Sequence, residues 1–315
     1  MTERVRARDG VAASRAPARP AGLRVPDSCT AGPPVGSHKM PRVCALALAA
    51  LLLAPPAARA AVGTPDEMID REDPTGEDPT RPRPELLLRY RYENLPGGAP
   101  DSLNAFVLEA ITAVPIAERW NTRFRLEMPL VLTNVPASDD ADAAWRFGSG
   151  DLLSEAAGIY YPDDRWALAL GGQMVFPTAS RAATGAGAWV LGAGGLVRAM
   201  LPELSPDSFF ATQIVYGFDV GGRCDREHVS ALRLQPLLHW ALPHAVFLEL
   251  FPSDDLVVNL GAPAGRGRLF LPFDALAGIL WTPKVVTTLE LGVPLVKQYP
   301  VYDFKIVATV GYFFD

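Results

Sequence analysis

Trp120-Asn121-Thr122-Arg123-Phe124-Arg125-Leu126-Glu127-Met128 decides how this chain folds. Trp120, Thr122, Phe124, Leu126 and Met128 recur at every second position, and Asn121, Arg123, Arg125 and Glu127 fill the gaps. A helix would scatter those charges around its axis, whereas a strand gathers them on one face. The same alternation sets Leu86, Leu88, Tyr90 and Tyr92 against Arg89, Arg91 and Glu93, and Phe106, Leu108 and Ala110 against Glu109. Leu232, Leu234, Leu238 and Trp240 oppose Arg233, Gln235 and His239, while Phe304, Ile306, Ala308, Val310, Tyr312 and Phe314 oppose Lys305, Thr309 and Gly311.

Working outward, the pattern predicts twelve strands: 85–93, 105–114, 120–133, 149–161, 165–177, 187–200, 208–218, 229–241, 245–251, 267–281, 285–296 and 303–314. They take up more than half of residues 61–315, which is high for an ordinary globular domain but natural for a barrel. The connections alternate in length. Long ones (94–104, 134–148, 178–186, 219–228, 252–266 and 297–302) take turns with short ones such as Pro162-Asp163-Asp164, Pro243-His244 and Thr282-Pro283. Short turns on one side and long loops on the other, with an even strand number, are the habit of transmembrane barrels. The fold class expected is therefore all-β, an antiparallel transmembrane β-barrel of about 12 strands.

The head of the chain gives an address. Met40-Pro41-Arg42 leads into the apolar run Val43–Ala54, followed by Pro55-Pro56 and Ala58-Arg59-Ala60. A short basic region, an apolar core and an A-x-A site read as a secretory signal within a leader of residues 1–60, with Met40 the expected true start. The run is too short for a membrane-spanning helix. Removing residues 1–60 takes away nine basic and three acidic residues, leaving 20 against 32 and a net charge of −12. Nucleic acid is then not an expected partner. Cys224 is left alone, so neither an intrachain disulfide nor a cysteine-based metal site can form. Residues 61–84, acidic, Pro-rich and poor in large apolar side chains, read as a disordered periplasmic linker before a barrel of residues 85–315.

Alternation alone does not separate a membrane barrel from a soluble sandwich or lipocalin-like barrel, because the two merely exchange faces. The export signal, the loop alternation and aromatics near strand ends favour the membrane. Tyr160, Tyr161, Trp166, Trp281, Tyr299, Tyr302, Tyr312 and Phe314 fall where aromatic girdles lie. Outer-membrane lipid and the barrel-assembly machinery, met through the C-terminal strand, are the expected partners, with the solute unknown. The inward face then carries Arg89, Arg91, Glu109, Arg123, Arg125, Glu127, Arg233, Gln235, Glu249, Glu290 and Lys305. Twelve strands imply an interior that is narrow and wet or partly plugged. Arg123 and Arg125 would give a positive constriction, unless opposite charges on neighbouring strands only brace the wall.

The ending Val310-Gly311-Tyr312-Phe313-Phe314 resembles the closing strand of Gram-negative outer-membrane barrels, although Asp315 follows it. Gly148-Ser149-Gly150-Asp151 and Phe176-Pro177-Thr178 resemble the transporter-like barrel family named for the MetA pathway of phenol degradation, with Ala179 where that family usually has Gly. The resemblance implies an outer-membrane channel or transporter-like protein of undefined substrate and carries no catalytic residues; small anionic or aromatic-acid solutes are the expectation from the Arg123 and Arg125 constriction instead.

Other motifs point elsewhere. His228-Val229-Ser230 resembles the His-x-Ser pair of outer-membrane phospholipases, in which His is the base for Ser. That family continues with Asn-Gly where Ala231-Leu232 stand, and no polar residue to orient the His is visible in the sequence. A lipase using Ser230 and His228 is thus the alternative, and a structural or adhesive barrel binding through loops 134–148 and 252–266 a third. Ser253-Asp254-Asp255 and Ser138-Asp139-Asp140-Ala141-Asp142 lack the spacing of a calcium loop and read as solvated external loops. Gly192-Ala193-Gly194-Gly195 lacks the Lys and helix of a phosphate loop and reads as close packing in a strand. His239 and His244 are isolated. No cofactor, metal or enzyme activity is expected.

Overall fold

The alternation of Trp120–Met128 becomes one stave of a closed barrel. The structure is a computed structural model that describes residues 73–96, 102–135, 145–222, 228–263 and 265–314. It contains fourteen strand segments: β1 (Glu85–Asn94), β2 (Ser102–Ala117), β3 (Trp120–Thr133), β4 (Arg146–Ser149), β5 (Leu152–Tyr160), β6 (Trp166–Phe176), β7 (Ala188–Met200), β8 (Phe209–Gly222), β9 (Ser230–Leu242), β10 (Val246–Leu250), β11 (Leu256–Asn259), β12 (Leu269–Thr282), β13 (Val285–Lys297) and β14 (Phe304–Phe313). All pairings are antiparallel, and β1 closes the ring on β14 with Glu85 opposite Phe313 and Asn94 opposite Phe304. Closure removes every free edge, the condition for a sheet to sit in lipid.

Fourteen segments make twelve staves, because two staves are interrupted. β4 and β5 both pair with β3, and Gly150 donates its N–H to the Pro129 carbonyl where they meet. β10 and β11 both run between β9 and β12. Leu250 faces Leu238 and Leu256 faces Leu234, so residues 251–255 oppose only three residues of β9 and bulge out of the ladder. Phe251 takes a positive φ of 55° at the start of the bulge. Pro236, which has no N–H to lose, lies in the stretch of β9 left without a partner. The sequence placed residues 252–266 in an external loop; the loop in fact begins after Asn259, and Ser253-Asp254-Asp255 turn into the barrel.

The faces separate as a membrane requires. Leu88, Phe106, Leu170 and Val310 are at least half exposed, while Glu109, Glu249 and Lys305 are almost completely buried. Trp166, Trp281, Tyr312 and Phe314 stand on the outside near strand ends. Tyr161 and Tyr302, expected in the same girdles, point inward and are buried, because each hydroxyl finds a partner there: Tyr161 donates to the Thr80 carbonyl and Tyr302 to Asp274.

Part of the expected linker is ordered. Its first half, like the leader, lies outside the described residues, but from Asp73 on the chain crosses the mouth of the barrel at the short-turn end. The repeat Asp73-Pro74-Thr75 and Asp78-Pro79-Thr80 builds two similar turns. Thr75 Oγ1 donates to Asp73 Oδ2 and Thr80 Oγ1 to Asp78 Oδ1, both at 2.6 Å, and the Asp78 N–H donates to Asp73 at 2.9 Å. Gly76, at φ 78°, passes so close to Phe313 that a Cβ would lie 2.5 Å from the ring. Apolar burial was the wrong criterion for this segment. Side-chain oxygens satisfy its backbone donors, and the wall supplies Arg198, whose Nε donates to Thr80 Oγ1 at 3.0 Å.

Candidate functional site

Charged groups converge in the interior, and their first cluster comes from β1–β3 and β5. Arg89 bridges Glu109 at 2.7 Å and Glu127 at 3.8 Å. Arg125 reaches Glu109 at 2.6 Å and Glu155 at 3.6 Å, and also pairs with Glu127. Arg123 pairs with Glu155 at 2.9 Å. Period-two geometry explains the meeting, since Glu109 lies opposite Glu127 in register and the arginines sit one step away on either side. Three cations against three carboxylates leave no surplus charge, so the positive constriction expected from Arg123 and Arg125 is compensated on the spot.

A second cluster surrounds Lys305. Its ammonium lies 2.6 Å from Glu290 and 3.4 Å from Asp274, and it also pairs with Asp255 on the inward bulge. Arg91 pairs with Glu93 and, at 3.4 Å, with Asp255. Ser253 donates to Glu290 at 2.6 Å and Tyr302 to Asp274 at 2.9 Å. Gly292 makes the room, because a Cβ there would lie 2.1 Å from the Asp274 carboxylate. The bulge is further held by Arg233, which pairs with Asp254 at 3.2 Å, and by Gln235, which donates to the Pro252 carbonyl. Charges this deep persist only when paired and hydrogen-bonded.

Glu249 belongs to a third cluster. It lies 2.8 Å from His239 Nδ1, and the imidazole is stacked between Phe209 and Phe247 with ring centroids 4.7 and 5.1 Å away. His239, read as isolated, therefore has a partner. The ordered segment packs nearby, and its two acidic residues diverge. Burial, and then the Glu249 carboxylate, hold Glu77 well above the usual carboxylate range. Burial also pushes Asp78 up, but Arg198 at 3.3 Å and Arg81 at 2.9 Å outweigh it and leave Asp78 below that range.

The adjoining wall, from β5 round to β8, carries few large inward side chains. In register, Glu155 faces Gln173, Gln173 faces Gly192 and Gly192 faces Gly217; the next inward row is Ala157, Gly171, Gly194 and Val215. Beside these rows lies a cavity of about 40 Å³, bounded by Pro79 on one side and by Arg123, Glu155 and Gln213 on others. The sequence missed Glu155, Asp255, Asp274, Arg198 and Tyr302 as interior residues. The signal available was a lone charge inside an apolar strand, as in Leu196-Val197-Arg198-Ala199 and Leu271-Pro272-Phe273-Asp274-Ala275.

The two motifs behind the family resemblance meet in space. Leu152 donates its N–H to Thr178 Oγ1 at 2.9 Å, and the Ala179 and Ala186 N–H groups donate to the Asp151 carboxylate at 3.0 and 2.6 Å. Asp151 thus pins the 177–187 connection to the β4–β5 junction. At the long-loop end, His228 Nδ1 lies 2.9 Å from Asp219 Oδ2, the orienting partner not visible in the sequence. Ser230, however, shares its hydroxyl hydrogen bond with Tyr216 at 3.1 Å. Residues 136–144 and Cys224 lie outside the described residues. Among those described, no group of three or more His, Cys, Asp or Glu side chains is arranged to hold a metal.

No family model matches the chain, and no curated protein matches it in sequence. Among solved structures, the COG4313 outer membrane channel from Pseudomonas putida F1 matches with a TM-score of 0.56 at 15% identity, over 74% of this chain and 96% of that one. The NanC porin matches with a TM-score of 0.47 at 10% identity, over 74% and 99%. Outer membrane phospholipase A from Escherichia coli matches at 0.41 and 8%, over 74% and 93%. At such identities the first match speaks for the fold alone, and that fold is the closed twelve-stave barrel of outer-membrane proteins.

Proposed function

We propose that the protein is an outer-membrane channel for small solutes, exported by its leader and closed towards the periplasm by residues 73–84. One observation carries the reading: an apolar exterior encloses a polar interior that retains a cavity between the ordered segment and a glycine-lined wall. Small membrane barrels otherwise fill their lumen with side chains. The contact between the Gly148–Asp151 and Phe176–Thr178 motifs supports kinship with the transporter-like family they resemble. Anion preference loses its basis, since Arg123 and Arg125 are both paired with carboxylates.

The test is conductance of the full chain in planar bilayers, compared with Arg198→Met. Removing this guanidinium releases Thr80 and one partner of Asp78, so the open fraction should rise. An unchanged, closed trace for both proteins would count against a channel.

One observation favours a second reading, an outer-leaflet hydrolase: Asp219 orients His228 near Ser230. Phospholipid hydrolysis in micelles with calcium, abolished by Ser230→Ala, would establish it. The adhesive reading is weakened, because residues 252–259 belong to the wall.

A further inference from the structure

We propose that the cavity against the β5–β8 wall is a subsite for small, uncharged, hydrogen-bonding solutes, which rests on the channel reading and narrows it. Three features of the cavity lead there.

The first is its charge. Arg123 and Glu155 are the charged groups lining it, and they lie 2.9 Å apart. Arg125 adds a contact to Glu155 at 3.6 Å but is itself held by Glu109. An ion entering this space would shed water and meet no uncompensated countercharge, which disfavours either sign.

The second is its free hydrogen-bonding capacity. Gln173 on β6 and Gln213 on β8 both line the cavity, and among the described residues neither side-chain amide has a hydrogen-bond partner within the protein. Each offers two donors and an acceptor. The inward charged groups of the strands discussed above are committed to ion pairs. A neutral hydroxyl- or amide-bearing solute would exchange water for these amides at little net cost.

The third is shape. Gly171, Gly192 and Gly194 present bare backbone to the lumen, while Pro79 faces them from the ordered segment. A Cβ at Gly171 would lie 2.5 Å from the Ala156 carbonyl oxygen and one at Gly194 2.4 Å from that of Ile214, so at both positions the wall is backbone packed on backbone. At Gly192 the nearest atom is instead the flexible Gln173 side chain, at 2.5 Å. The space, with room for roughly three water molecules, suits a molecule of a few heavy atoms passing in single file.

The experiment is swelling of liposomes carrying the full chain in isotonic erythritol, in erythronate, its anion of matching size, and in choline. Erythritol should enter about tenfold faster than either ion, the ratio that one unreplaced hydrogen bond gives. Gln173→Leu combined with Gln213→Leu should remove that advantage by slowing erythritol alone. Gly192→Leu, which only displaces the Gln173 side chain, should slow all three solutes, and Gln173→Glu should admit choline. Heat-modifiable migration on gels confirms that each variant has folded. Equal entry of erythritol and erythronate, unmoved by the glutamine changes, would overturn the subsite and leave the channel standing. Failure of every solute to enter above empty liposomes would overturn the channel itself.

Discussion

The β1–β3 wall and the β6–β7 wall obey the same period-two alternation, yet one is filled with ion pairs and the other is largely stripped to backbone. On β1–β3 the inward positions are Arg89, Glu109, Arg123, Arg125 and Glu127, and every one of them is paired. On β6 and β7 the corresponding positions are Gly171, Gly192 and Gly194. Alternation fixes which face a residue occupies, but the size of the residue decides whether that face builds a brace or leaves a passage. In this twelve-stave barrel, ion pairs brace most of the circumference while β6 and β7 keep their inward face small.

The largest effect should come from reversing the braced wall. Arg123→Glu with Arg125→Glu would gather five carboxylates where three now have partners, so the double variant should fail to yield a heat-modifiable folded band on refolding into detergent. Had these arginines merely lined a water-filled constriction, folding would survive and only ion preference would change. Lys305→Met should come next. It takes the cationic partner from Asp274 and Glu290 and leaves Asp255 with Arg91 alone, and breaking a buried pair in this way costs about 3–5 kcal/mol. Urea titration of the refolded barrel measures the loss. Phe124→Arg puts a charge on the lipid face next to the same ion pairs; the cost is about 2–4 kcal/mol near the bilayer midplane. A harmless Phe124→Arg would invert the assignment of faces.

The smallest effect is a change with pH in how firmly residues 73–84 sit. Glu77 holds its proton more tightly in the docked segment than in a free one, so docking gains strength as pH falls through its raised value towards about 4.3, the ordinary glutamate value. Asp78 behaves oppositely. Its depressed value stabilises docking above about 3.9, the ordinary aspartate value, and that contribution is lost on further acidification. Channel closure should therefore be tightest under mild acid and relax on both sides, as read from open fraction against pH. Glu77→Gln should flatten the limb nearer neutrality and spare the other.

The alternation made most of the barrel legible. The expected strand 120–133 is β3 itself, and the weakly patterned 187–200 is the regular strand β7. What escaped follows from what the pattern measures. Phe251-Pro252-Ser253-Asp254-Asp255 has the composition of a turn, and only the apolar Leu256-Val257-Val258 behind it hints that the wall resumes. Residues 73–84 carry too few large apolar groups to order by burial, yet the doubled Asp-Pro-Thr is itself a repeat of local turn chemistry. The interior residues were found where charges came in alternating runs. They were missed where one charge stood alone, as at Asp274 and Arg198, because a single polar residue in an apolar strand has no period.

Glu85 opposite Phe313 is the pairing of the very first stave with the very last. Such a contact forms only after the longest chain loop in the molecule has been closed, an entropic cost met late in folding. At this seam Phe314 donates its N–H to the Pro84 carbonyl at 2.8 Å, Arg83 lies 4.4 Å above the Phe313 ring, and Gly76 packs against the same ring. The segment that crosses the mouth is thus also a fastener on the seam. A chain lacking it should reach its twelve-stave form more slowly even if, once closed, the ring is as durable.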